Sequence, residues 1–170
     1  MENVVNGGAY SPEREIRGWG YVLAVDPGEV HVGVAEFSKG RCAWTREFGP
    51  EQFYEFLEKV CALGSVRASG VVVVEEFRLY PGKAAAQSWS QLKTVEVIGT
   101  IRYITGYYGV TMVEQGAHIK KVARARMGAQ GVVNLAVEQR LGRHCADAVE
   151  HGWFYINHGG SVKGDENTRS

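Results

Sequence analysis

Cysteine is scarce in this chain, and none is spaced to hold a structural metal. Cys42, Cys61 and Cys145 are odd in number and include no CxxC pair. That pattern argues against a disulfide framework and against a zinc knuckle. It leaves three small buried or half-buried thiols. Long apolar runs are missing too: none approaches the ~20 residues needed to span a bilayer. The N-terminus has neither the basic region nor the apolar stretch of a secretory signal. A cytoplasmic protein with no membrane partner is the expectation. Net charge is absent as well, since 19 basic residues balance 19 acidic ones. The overall basic excess usual in nucleic-acid binders is therefore lacking.

The balance hides a local bias. Between Ala117 and Arg143 lie Lys120, Lys121, Arg124, Arg126, Arg140 and Arg143, against a single acid, Glu138. Where charge sits matters more than its sum. At 170 residues, 45% apolar and 22% charged, the chain suits one globular domain with its own core. Residues 1–18 read as a loose leader, 19–158 as the domain, and 159–170, "GGSVKGDENTRS", as a disordered tail. No internal repeat is visible.

The body opens with "GYVLAVDPG". Tyr21, Leu23 and Val25 alternate with Val22 and Ala24, so both faces are apolar and the strand is central. Pro27-Gly28 breaks it. A second strand, about Val30 to Phe37, turns at "SKG" into a third, Arg41 to about Phe48. A helix after Pro50 places Phe53, Phe56, Leu57 and Val60 at helical spacing. "GVVVVEEF" then makes a strand covered on both faces and parallel to the first. A long helix spans about Ala85 to Tyr107, with Val97, Ile101, Ile104 and Tyr108 as its stripe. "GVTMVEQ" is a short strand. A basic helix follows from about Ala117 to Met127, and a last helix from His144 to about Asn157. The order predicts an α/β layer fold, with a five-stranded mixed sheet of three antiparallel and then parallel strands, flanked by helices.

Acids at strand ends are the main chemical signal. Asp26 ends the first strand; Glu75 and Glu76 end the valine strand. If those strands are parallel neighbours, Asp26 comes within reach of Glu75 or Glu76. Adjacent carboxylates repel unless a cation joins them, and Mg²⁺ prefers such oxygen ligands. Face parity alone leaves the two glutamates open; one of them is then a solvated strand-end charge. On the last helix, His144, Asp147 and Glu150 are three apart and lie near one face. Asp147 alone could be an ordinary first-turn acid favoured by the helix dipole, and His144 a capping or surface histidine. Glu150 and His151 read as plain surface residues.

Taken in order, "VLAVDPGEVHVGVAEF", "VVVVEEF", "IKKVA" and "HCADAVEHG" resemble the RuvC-type Holliday junction resolvases, and most closely the small phage-encoded branch. The resemblance runs from about Tyr21 to Ile156. It implies a ribonuclease H-like fold and phosphodiester hydrolysis assisted by two Mg²⁺ or Mn²⁺ ions. It picks Glu75 over Glu76 and raises His144 and Asp147. Asp26 would bridge the ions, Glu75 hold one, and Asp147 complete the other, with His144 as ligand or proton carrier. Lys120, or less well Lys121, would contact the phosphate, with Arg124 adding to the basic helix. Phe77 and Tyr80 take the place of the family's wedge near the junction. Branched DNA, four-way junctions above all, and a homodimer are the implied partners, in the cytoplasm of a bacterium or phage-infected host. Trp89, Leu92, Tyr103 and Tyr107 mark the long helix as the interface. The chain departs from the pattern in "QGAHIKK", which lacks the usual proline, and between Gly128 and Gly142.

Other functions share parts of this pattern. "VDPGEVHVG" also resembles the phosphate hairpin of actin-like and sugar kinases, but those need two lobes. A ribonuclease H on RNA–DNA hybrids, a broader branch or flap endonuclease, and a non-catalytic DNA-binding module share the fold.

Overall fold

A computed structural model describes residues 20–77 and 89–158, with the backbone alone for 89–91. The expected leader and tail, Tyr80, and the expected helix start at Ala85 lie outside the described residues.

The chain opens with three strands, β1 (Tyr21–Pro27), β2 (Val32–Ser38) and β3 (Arg41–Phe48). They form an antiparallel meander. The β2–β3 turn carries Lys39 at φ 50° and Gly40 at φ 76°. Two successive left-handed residues match the right-handed twist of a hairpin. Helices α1 (Pro50–Ala62) and α2 (Gly64–Ser69) lead into β4 (Gly70–Glu75). Pro50 opens α1, where its missing N–H costs nothing. Then come α3 (Trp89–Tyr108), β5 (Thr111–Gln115), α4 (Ile119–Ala129), α5 (Leu135–Glu138) and α6 (Arg143–His158). Among the described residues no helix is long and apolar enough to cross a membrane.

The five strands form one sheet in the order β3-β2-β1-β4-β5. β4 runs parallel to both β1 and β5. The sheet is covered on both sides. One face, with Leu23, Val25, Val34, Val72 and Val74, packs on Phe53, Leu57, Val97, Ile101 and Ile104 of α1 and α3. The other, with Val22, Ala24, Ala35, Phe37, Val71 and Val73, packs on Ala123 and Met127 of α4 and Ala148, Val149 and Trp153 of α6. This two-sided burial explains the unbroken apolar runs of β1 and β4. The four valines of β4 are fully buried, and each contributes about 1.5–3 kcal/mol.

The expected mixed sheet is present. Short helices α2 and α5 are additions to the expected elements, and α4 starts at Ile119 rather than Ala117. Six- and four-residue helices are too short for an apolar period to show.

Candidate metal centre

Strand register builds the first half of the site. β1 and β4 are paired as far as Val25 opposite Val74. The next residues on the two strands are Asp26 and Glu75. Glu75 is in turn the register partner of Gln115 on β5. Side chains two apart share a face, so Asp26 follows Val22 and Ala24, and Glu75 follows Val71 and Val73. Both therefore face α4 and α6. Glu76 belongs to the opposite parity.

Helix α6 supplies the second half, and two glycines let it lie close to β2. A Cβ at Gly33 would come within 2.1 Å of the His144 carbonyl group, and one at Gly152 within 2.2 Å of the Phe37 ring. With both positions bare, α6 brings Asp147 down onto the strand ends. One carboxylate oxygen each from Asp26, Glu75 and Asp147 lie within 4.8 Å of one another. Asp26 and Asp147 are buried, and Glu75 is half-buried. Asp147 sits one turn into α6, whose first turn holds no acid, so it is not a dipole-favoured first-turn residue.

Neighbouring side chains hold these three. Lys120, from the first turn of α4, donates to Glu75 Oε1 at 3.1 Å, Glu75 Oε2 at 2.8 Å and Asp147 Oδ2 at 2.8 Å. His144 Nδ1 lies 2.6 Å from Asp26 Oδ2. His151 Nε2 lies 3.1 Å from Glu75 Oε2, and its Nδ1 lies 2.9 Å from the Gln115 amide. Arg124 grips Glu150 with Nε at 2.8 Å and Nη2 at 3.0 Å, and reaches Asp147 Oδ1 at 3.8 Å. Arg143 Nε lies 3.6 Å from Asp147.

The electrostatics follow from burial and from these partners. Burial pushes the Asp26 carboxyl up to about 6; the His144 bond opposes this and the nearby Glu75 adds to it. Burial would raise Glu75 too. Hydrogen bonds from His151, Asp26 and Lys120 outweigh it and hold Glu75 well below the usual carboxylate range. Its contact with Asp26 raises His144. Lys120 is also raised, since Asp147 and Glu75 outweigh its burial. Two buried carboxylates and one half-buried one converge as a set of hard oxygen donors, with Lys120, Arg143, His144 and His151 around them. That donor set suits Mg²⁺ or Mn²⁺ and not a thiophilic metal.

The structure brings together Asp26, Glu75, Asp147, His144 and Lys120, all singled out from sequence. His144 touches Asp26 but is not one of the three residues whose ligand atoms converge. Arg124 is exposed but committed to Glu150, which gives it a structural partner beyond the basic face. Lys121 is exposed on α4. Phe77 is half-buried and packs against the core between the sheet, α1 and α3; Tyr80 lies outside the described residues.

Two expectations are corrected. Glu150 and His151, read as surface residues, are 2% and 0% exposed. Both lie on the face of α6 that carries Asp147, at spacings of three and four. Their polarity suggested solvent, but each has a close polar partner: Arg124, whose guanidinium is exposed, for Glu150, and the half-buried Glu75 with the buried Gln115 for His151. The missed signal was the i, i+4 relation of Asp147 to His151. Gln115 was missed as well; only the register with Glu75 reveals it. The three thiols are as expected, with Cys61 and Cys145 buried and Cys42 half-buried.

No protein-family model matches the chain, and no curated protein matches it by sequence. Solved structures do. One, "T. thermophilus RuvC in complex with Holliday junction substrate", superposes with a TM-score of 0.56 at 20% identity, covering 82% of this chain and 96% of that one. Another, a Thermus thermophilus RuvC structure, gives 0.54 at 22% identity, covering 82% and 97%. At such identity the likeness is one of fold: the chain has the ribonuclease H-like fold of RuvC.

Proposed function

We propose that this chain is a divalent-metal-dependent endonuclease that cuts branched DNA, with the four-way junction as its main substrate. The observation that carries the reading is the convergence of Asp26, Glu75 and Asp147 within 4.8 Å at the strand ends of this fold. The match to a RuvC bound to a Holliday junction substrate supports branched DNA as the ligand class.

Asp26, Glu75 and Asp147 would hold one or two Mg²⁺ or Mn²⁺ ions, and the chemistry so supplied is activation of water and neutralisation of charge on the phosphate. Lys120 stands at the rim of the carboxylates, where its ammonium can meet a phosphate oxygen as a point charge. His144 is fixed by Asp26 through Nδ1, and its Nε2 lies over Gly28, where a Cβ would come within 2.9 Å. From there His144 can hold or return a proton at the scissile oxygen. Products carry a 5′-phosphate and a 3′-hydroxyl. Lys121 and Arg143, both exposed, add sequence-independent attraction for the backbone.

A four-way junction has two symmetric cut sites, and a C2 dimer presents two matching active sites. We assign the dimer contact to α3. Its inner face is buried through Val97, Ile98, Ile101 and Ile104, while Leu92, Tyr103 and Tyr107 stay exposed. Trp89, expected in the same interface, has no described side chain.

The direct test is a cleavage panel in Mg²⁺ and in Mn²⁺. A four-way junction cut well ahead of flap, plain duplex and RNA–DNA hybrid is the expected result. Preference for the flap or the hybrid would move the substrate to the broader branch nucleases or to ribonuclease H. No cleavage of any substrate would contradict the nuclease reading.

A further inference from the structure

Glu75 is gripped from two sides by groups that do opposite things to a cation site. From α4, Lys120 reaches both of its oxygens and draws the carboxylate towards an ion pair shared with Asp147. A lysine in that position competes with any metal for the same oxygens. From α6, His151 reaches Oε2 alone, at 3.1 Å. A single N–H donor of this kind orients a carboxylate and leaves lone pairs open.

His151 is itself well anchored. It is fully buried, and its second ring nitrogen meets the Gln115 amide at 2.9 Å. Gln115 is buried and is the register partner of Glu75 on β5. Gln115 can present its NH2 to a neutral ring or its oxygen to a charged one, so the ring is satisfied in either form. Burying two such polar side chains without a partner would be strongly unfavourable. Here each has one, and the chain of contacts ends on Glu75. The result is a fixed line across two strands and a helix: Gln115, His151, Glu75.

We propose that His151, seated on Gln115, is a positioning residue that holds Glu75 in its ligand orientation against the pull of Lys120, and so sets the affinity of the centre for a divalent cation. This rests on the reading of Asp26, Glu75 and Asp147 as a metal centre. Without His151, the α6 donor that opposes Lys120 is gone, and the carboxylate turns towards Lys120. Outer partners that orient a metal ligand are worth about 10–100-fold in metal affinity.

The experiment is calorimetric titration of the full chain with Mn²⁺, with thermal unfolding of each variant alongside. His151→Leu removes both polar contacts at similar bulk; His151→Gln keeps an N–H donor at comparable reach. His151→Leu should bind Mn²⁺ about 10–100-fold more weakly than wild type. His151→Gln should recover most of that loss. A purely structural histidine would instead lower the unfolding temperature in both variants and leave the affinity of the folded protein unchanged. Wild-type affinity in folded His151→Leu would overturn the inference, and so would an affinity in His151→Gln no better than in His151→Leu. If His151→Leu fails to fold, Gln115→Met decides. A several-fold weaker affinity there supports the line of contacts, and an unchanged one overturns it. Absence of Mn²⁺ binding by wild type would overturn the metal reading itself; binding by wild type without loss in the variants overturns only the role of His151.

Discussion

Burying a carboxylate at the end of a strand costs stability, and Asp26 carries that cost. Its pKa rises from 3.8 to about 6 in the fold. The folded state therefore holds this proton more tightly than the unfolded chain does. Below about pH 4 both states are protonated and the cost vanishes. Between about pH 4 and 6 the unfolded chain ionises first, so stability falls as pH rises; above about 6 the cost is complete. In EDTA at pH 7, Asp26→Asn should thus be more stable than wild type by about 1–2 kcal/mol, after allowing for the weakened His144 contact. The gain should disappear near pH 4, as read by denaturant unfolding at each pH. The strand-end pattern made Asp26 visible in sequence because an acid closing an apolar strand conflicts with its surroundings. Glu75 and Glu76 stayed ambiguous because parity has no meaning until the register to β1 is known. Glu150 and His151 were misread because sequence shows polarity but not the partner in space that permits burial.

At the scale of elements, the seating of α6 on β2 is what makes a site out of separate residues. His144 and Asp147 reach the strand ends only because Gly33 offers no Cβ to the helix backbone. Gly33→Ala should push the first turn of α6 outward, lowering stability by about 1–3 kcal/mol and weakening Mn²⁺ binding together with it. Gly152→Ala meets the buried Phe37 ring further along the helix. It should cost a similar amount of stability, again about 1–3 kcal/mol, with less effect on Mn²⁺. Unfolding midpoints and calorimetric affinities separate the two. On α4, Ile119, Ala123 and Met127 are buried and leave Lys121 outside. Lys121→Ala should weaken junction binding and lower its salt slope by about one; an unchanged slope would remove α4 from the DNA surface. The long elements were legible because each carries a full apolar period. Helices α2 and α5 were not, being too short to show one.

At the scale of the molecule, a sheet sealed on both faces leaves function to its edges and to the outer surface of its helices. On α3 the outer surface carries Tyr103 and Tyr107, 71% and 74% exposed, with rings stacked at 6.4 Å. Large aromatics so placed are typical anchors of a protein interface. Wild type should sediment as a dimer and the double variant Tyr103→Glu with Tyr107→Glu as a monomer, with Mn²⁺ affinity preserved. A wild-type monomer would remove α3 as the contact. The layer order and the mixed sheet were readable from the run of elements, because two-sided strands and one-sided helices admit few arrangements. The exposed side chains of α3 were readable only as residues in excess of what one buried face needs. The central claim, that Asp26, Glu75 and Asp147 form a working metal centre, is tested most directly by one assay. Wild type and Asp26→Asn are compared for nicking of a synthetic four-way junction in Mg²⁺, with binding of the same junction measured in parallel. Nicking by wild type that stops in EDTA and is lost in Asp26→Asn, with binding retained, is the predicted result. Undiminished nicking by Asp26→Asn would contradict it.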